Sequence, residues 1–207
     1  MKIRLGPVPG DPTFRPEEGP WRKLKEPAFG RLLLLSIPLA TLLTAGMLAA
    51  WGALARAHGV VAGGDIVLGP AQLLAGFASV ATLIFAHELA HAVSLPGFGL
   101  TPATTLGFWP KAVTPYVTYR GELSRNRHVA VGLMPFLLLS IIPLLAAALT
   151  GWKPGWVVAL TTLNALFSSG DLIGTAALIA QTPRSSSVRN QGLETWWRPA
   201  QPERSSR

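Results

Sequence analysis

"ATLIFAHELAHAVSLPG", residues 81–97, sets two histidines and a glutamate inside an otherwise apolar run. An ionisable residue at the centre of a membrane span costs about 2.5 to 3.5 kcal/mol on insertion scales, so such residues usually face a protein interior and serve a function. His87 and His91 stand at i and i+4, which turns two imidazoles toward a common point on one helical face, with Glu88 beside them. Whether the run crosses a membrane is decided by the chain around it.

Of the 207 residues, 49% are hydrophobic and only 14% charged, against roughly 25% charged in a soluble domain. Charge-poor runs at 32–55, 66–86, 129–152 and 154–181 are each long enough to cross ~30 Å of hydrocarbon, which takes about 20 helical residues. The composition predicts an all-α membrane protein of four transmembrane helices. Lys and Arg number seven in 1–31, one in 55–70, four in 96–128, one in 151–155 and five in 182–207. That alternation puts both termini and the middle loop in the cytoplasm by the positive-inside rule.

The net charge of +8 does not imply nucleic acid, because the basic residues sit in tails and loops without interleaved stacking aromatics. About thirty polar, Pro-rich residues precede the first apolar run, so the N-terminus does not read as a secretory signal. Residues 1–30 are expected as an extended cytoplasmic tail with an interfacial anchor near Trp21, residues 31–181 as the membrane domain, and 182–207 as a second cytoplasmic tail. Trp196 and Trp197 are placed at headgroup depth. Between the second and third spans, "TTLGFWPKAVTPYVTYRGEL" has β-branched and aromatic runs on either side of Pro110, the pattern of a short β-hairpin or of an irregular connector.

With no cysteine, a metal here would need nitrogen and oxygen ligands. In a zinc hydrolase the HExxH spacing supplies two imidazole ligands, and the glutamate takes a proton from the attacking water. A third protein ligand must come from elsewhere. Asp171, in "SSGDLIG" of the fourth span, is the candidate, since both spans run in the same direction and counting from their cytoplasmic ends places the three groups at overlapping depths. The small residues Ser168, Ser169, Gly170 and Gly174 would allow close helix approach. The competing reading makes Asp171 an ion-pathway carboxylate. Asn164, two turns earlier, is a candidate for a substrate backbone or oxyanion, or for a tie between helices. His58 and His128 fall outside the spans and read as solvated or interfacial; Pro135 and Pro143 read as tolerated kinks whose freed carbonyls need other partners.

These residues resemble a family of small bacterial membrane zincin peptidases, formerly a domain of unknown function, related to the site-2 intramembrane zinc metalloproteases. The resemblance rests on "HELAH", on "TPY...LSRNRHVAVGLMPF" and on "NALFSSGDLIG", together most of residues 75–180. It implies zinc held by His87, His91 and Asp171, Glu88 as catalytic base, and cleavage of peptide bonds near the cytoplasmic face of a bacterial plasma membrane. The last motif reads Gly-Asp-Leu rather than Leu-Asp-Gly, which bears on Asn164 more than on ligation.

The sequence thus leads to a membrane-embedded zinc metalloendopeptidase acting on membrane-protein or peptide substrates. A transmembrane substrate would have to unwind, and the 104–120 segment could hold it as an added strand. Two rivals use the same residues: an ion- or proton-handling transporter with Glu88, His91 and Asp171 as a relay, and an adaptor whose metal is structural. Substrate, oligomeric state and the identity of the divalent cation are left open.

Overall fold

A computed structural model of the chain describes residues 1–59, 69–152 and 154–199. Helices form where long apolar runs leave the backbone no partner but itself: α1 (Phe29–Ala57), α2 (Pro70–Val93), α3 (Arg125–Phe136), α4 (Ile142–Thr150), α5 (Gly155–Phe167) and α6 (Ser169–Gln181). Pro70 opens α2 at a position whose N–H would have no helical partner. Gly151 closes α4 in the left-handed conformation at φ 72°. One π-helical turn, Leu137–Ile141, joins α3 to α4.

Three helical stretches are long and apolar enough to cross a membrane, Gly30–Ala57, Pro70–Val93 and Arg125–Thr150. The fourth apolar run is not one helix: α5 and α6 meet at a 42° bend. At the break Ser168 folds its hydroxyl back onto Asn164 O at 2.9 Å. The first residues of the expected span 66–86 lie outside the described residues. Many helix side chains that face outward are large and apolar, Leu74 at 71% and Leu149 at 89% exposure among them, a surface suited to lipid rather than to water.

The chain is mostly helical but not all-α. Residues of the expected tails and of the middle loop form β1 (Lys2–Leu5), β2 (Arg22–Lys23), β3 (Thr104–Trp109), β4 (Thr114–Tyr119), β5 (Leu123–Ser124), β6 (Ser187–Gln191) and β7 (Glu194–Arg198). One sheet has the order β1-β3-β4, with β1 parallel to β3 and β3 antiparallel to β4. The other has the order β2-β7-β6-β5 with antiparallel pairs throughout.

The described parts of both expected tails are therefore ordered, and the reason is alternation hidden in polar sequence. Val188 and Trp197 turn inward and pack with Leu24 and with Leu178 of α6. Trp197 is thus part of a small core. Arg22 lies over Trp197, Arg189 over Phe14 and Arg198 over Trp21, cation–π contacts that bind the two chain ends together. Residues 200–207 lie outside the described residues.

Inside the bundle, Met47 and Trp51 of α1, Ala147 of α4, and Val157 and Ala165 of α5 form a buried cluster. Trp51 Nε1 donates to Thr161 Oγ1 at 3.0 Å, and Ser140, on the π turn, donates to Thr161 O at 2.8 Å. These polar contacts lead directly to the candidate site.

Candidate metal centre

The i, i+4 spacing on α2 sets the rings of His87 and His91 5.1 Å apart, nearly perpendicular. The bend at Ser168 aims α6 so that Asp171, in its first turn, meets them. Asp171 Oδ2 lies 3.1 Å from His87 Nε2 and 3.6 Å from His91 Nε2. One ligand atom from each of the three residues falls within 4.8 Å of the others.

The far nitrogen of each ring fixes what the near one can do. His91 Nδ1 is 2.8 Å from Val131 O, and a carbonyl only accepts, so this nitrogen carries the hydrogen. Pro135 is four residues beyond Val131 and has no N–H to give, so that carbonyl lacks its helical donor. His87 Nδ1 is 2.9 Å from Asn164 Oδ1. The amide is held in that orientation because its Nδ2 donates to Pro135 O at 2.9 Å and to Ser140 Oγ at 2.8 Å.

Both Nε2 atoms of the neutral rings are then acceptors, and both face a carboxylate oxygen, another acceptor. Only a proton or a cation between each pair makes this arrangement stable. A single divalent cation would serve all three. Tetrahedral ligands ~2.0–2.1 Å from zinc stand about 3.3 Å apart, close to the spacings of Asp171 Oδ2 from the two rings. Orientation of ligating imidazoles by an outer hydrogen bond is the usual construction of zinc sites. The donor set fits zinc.

Asn164, expected either at a substrate oxyanion or between helices, is fully buried. Its amide is engaged with His87, Pro135 and Ser140 and offers a substrate no free N–H. The structure thus brings it to the site through His87. Glu88 lines a groove of about 590 Å³ together with His87, His91 and Asp171. The groove is bounded by β4 on one side and by Leu32 and Leu33 of α1 on another, and continues to Glu26 and Thr195.

Two sites of packing control the approach of the helices. A Cβ added at Gly132 of α3 would stand 2.1 Å from Thr175 Oγ1 of α6, so glycine is what lets these helices close. Arg125 donates to Thr182 Oγ1 and Ile179 O, each at 3.0 Å, at the end of α6. Arg127 donates to Ser94 O at 2.8 Å at the end of α2. Arginines at the start of α3 therefore tie down both ligand-bearing helices, each at the negative end of the helix dipole.

Sequence reasoning missed these two arginines, Ser140 and Trp51. The Ser-Arg-x-Arg pattern was a signal, but it reads equally well as topology charge. His128, expected as solvated or interfacial, lines the groove, and its Nδ1 is buried with no hydrogen-bond partner among the described residues. His58 is remote from the centre, packed near Gly151.

Neither a curated protein nor a solved structure matches the chain. A protein family does, over residues 80–187, a segment that begins just before the two histidines and ends past Asp171. Since that match spans just over half of the chain, the protein belongs to the family described as "Putative zincin peptidase".

Proposed function

We propose that the protein is a membrane-embedded zinc endopeptidase that cleaves membrane-associated protein segments near the cytoplasmic face. In this reading α1, α2, the α3–α4 stretch and the bent α5–α6 pair make four crossings, and both chain ends lie in the cytoplasm, as the distribution of Lys and Arg implies. The relation to site-2 intramembrane proteases stands on the same motifs. The observation that carries the reading is the convergence of three acceptors, His87 Nε2, His91 Nε2 and Asp171 Oδ2, in a groove that also holds Glu88.

His87, His91 and Asp171 would hold the ion. Zinc bound there lowers the pKa of water toward ~7 and polarises a carbonyl. Glu88 takes a proton from the water that adds to the scissile carbonyl carbon and delivers it to the amide nitrogen as the C–N bond breaks. Asn164, through His87 Nδ1, and the Val131 carbonyl, through His91 Nδ1, keep the two rings turned for ligation throughout. A helical substrate must unwind to present its carbonyl. The outer edge of β4, which lines the groove beside Glu88, is suited to hold it extended as an added strand.

The test compares Glu88→Gln with His87→Ala, His91→Ala and Asp171→Ala in purified protein and in cells. Glu88→Gln should keep stoichiometric zinc and lose cleavage, with one or more uncleaved membrane proteins accumulating in the membrane proteome. The three ligand variants should lose zinc. Retained zinc in all three would remove the centre. A Glu88→Gln variant indistinguishable from wild type in the proteome would make the metal structural.

A further inference from the structure

The β1–β3–β4 sheet is covered on one face and, although Thr104 is buried on the other, open there around β1 and Phe108. Thr105, Tyr116 and Thr118 are buried on the first, where Tyr116 Oη donates to Pro7 O at 3.2 Å. The register sets Ile3 beside Leu106 and Leu5 beside Phe108 on the second. There Ile3 is 85% and Leu5 76% exposed, and Phe108 is exposed as well. In the other sheet, by contrast, the inward face of Val188 and Trp197 is covered by Leu24 and Leu178.

The turn from α2 into β3 repeats the anomaly. Phe98 is 74% exposed and holds a positive φ of 53°, a conformation disfavoured for a bulky side chain. Leu100, two residues on, is also exposed. A strained backbone that thrusts a phenyl ring into water gains nothing, whereas strain of this kind persists where surroundings reward it.

We propose that this open face, with Phe98 and Leu100, is a docking surface for the anionic lipid leaflet at the end of α2. Two observations select lipid over a protein partner. The surface continues the outward apolar side of α2, whose last residue, Val93, is exposed. The segments that carry this surface, residues 1–5 and 96–121, hold four cations, Lys2, Arg4, Lys111 and Arg120, and no acid, a net positive charge that anionic headgroups attract; Lys2 and Arg4 stand on the edge strand β1, on the face opposite Ile3 and Leu5. The next acids along the chain from these segments are already paired, Glu122 with Arg198 and Asp11 with Arg189. Docking here would fix the height of the β4 edge against the bilayer. The inference rests on the membrane reading of the helices and is independent of the peptidase chemistry.

Because the chain has no cysteine, a single introduced thiol is unique. Full-length Ile3→Cys, Leu5→Cys and Phe108→Cys variants, spin-labelled and reconstituted in phosphatidylcholine–phosphatidylglycerol vesicles, would be compared with Leu74→Cys on α2 and Glu17→Cys on the exposed N-terminal loop. Labels at 3, 5 and 108 should collide with oxygen and lose collisions with a water-soluble nickel chelate, matching the Leu74 label. Chelate collisions as frequent as at Glu17 would overturn the proposal. So would spin–spin broadening that vanishes on dilution with unlabelled protein, which would make a second copy the occupant. Rates unchanged when phosphatidylglycerol is withheld would overturn the part given to the four cations. A Leu74 label that itself reads as water would overturn the membrane reading and the docking with it.

Discussion

At the scale of single residues, the two imidazoles differ in what holds them. His91 rests on a carbonyl left without a helical donor by a proline, and His87 on an amide whose other bonds allow it one orientation. Asn164→Ala removes the acceptor for His87 Nδ1 in a dry site and strips donors from Pro135 O and Ser140 Oγ. Zinc affinity should fall about 10- to 100-fold, the usual loss for an outer-sphere partner, measured by competition with a chelator. Asn164→Asp keeps an acceptor at His87 and should lose less. An oxyanion role would show the reverse, with Asn164→Ala retaining full zinc affinity and losing turnover alone. Pro135→Ala returns an N–H to compete for Val131 O; since a carbonyl has two lone pairs, its loss of zinc affinity should be smaller than that of Asn164→Ala.

At the scale of elements, ligand geometry depends on how closely α3 and α6 approach. Gly132→Val places carbon where Thr175 Oγ1 now stands. Overpacking of this kind costs about 1–3 kcal/mol, and the shift should carry Asp171 away from the rings. Thermal unfolding should show the loss, zinc content should fall although no ligand is altered, and Thr175→Gly in the same chain should restore part of both. The i, i+4 pair on α2 and the partner carboxylate were readable because local spacing and the cost of buried charge point to them directly. Asn164 was readable as a position but not as a role, since an amide can donate or accept and only neighbours decide which. The bend at Ser168 was masked by an apolar run that looks continuous. The strands of the two expected tails were hidden for another reason. Lys2 pairs beside Thr105 and Arg22 beside Trp197, and pairing over such distances leaves only alternations of four or five residues, such as Lys2–Leu5, within Pro- and Gly-rich segments.

At the scale of the whole molecule, the chain ends form a cap on one end of the bundle, and two carboxylates on it respond to pH in opposite senses. Asp11 accepts from the hydroxyl and the backbone N–H of Thr13 and from Arg189. Those bonds, Thr13 first, hold its carboxyl below the ordinary 3.8. A depressed carboxylate stabilises the fold above its unfolded pKa, and that contribution is lost as pH falls through the folded value. Glu26, between β2 and α1, is raised above its ordinary 4.5 by burial, in spite of hydrogen bonds from Thr195. A raised carboxyl favours the fold while protonated and weakens it as pH rises from the unfolded value through the folded one. Amide exchange of Thr13, whose N–H bonds Asp11, should therefore quicken, after correction for intrinsic rates, as the solution is acidified below the ordinary Asp value, and Asp11→Asn should abolish that limb. Exchange at Thr195, whose N–H bonds Glu26, should quicken in the other direction, as pH climbs above the ordinary Glu value. Glu26→Gln keeps one acceptor without the charge and should flatten the rise. Parallel pH profiles for Thr13 and Thr195 would mean that the cap opens as one unit and that neither carboxylate governs its own contact.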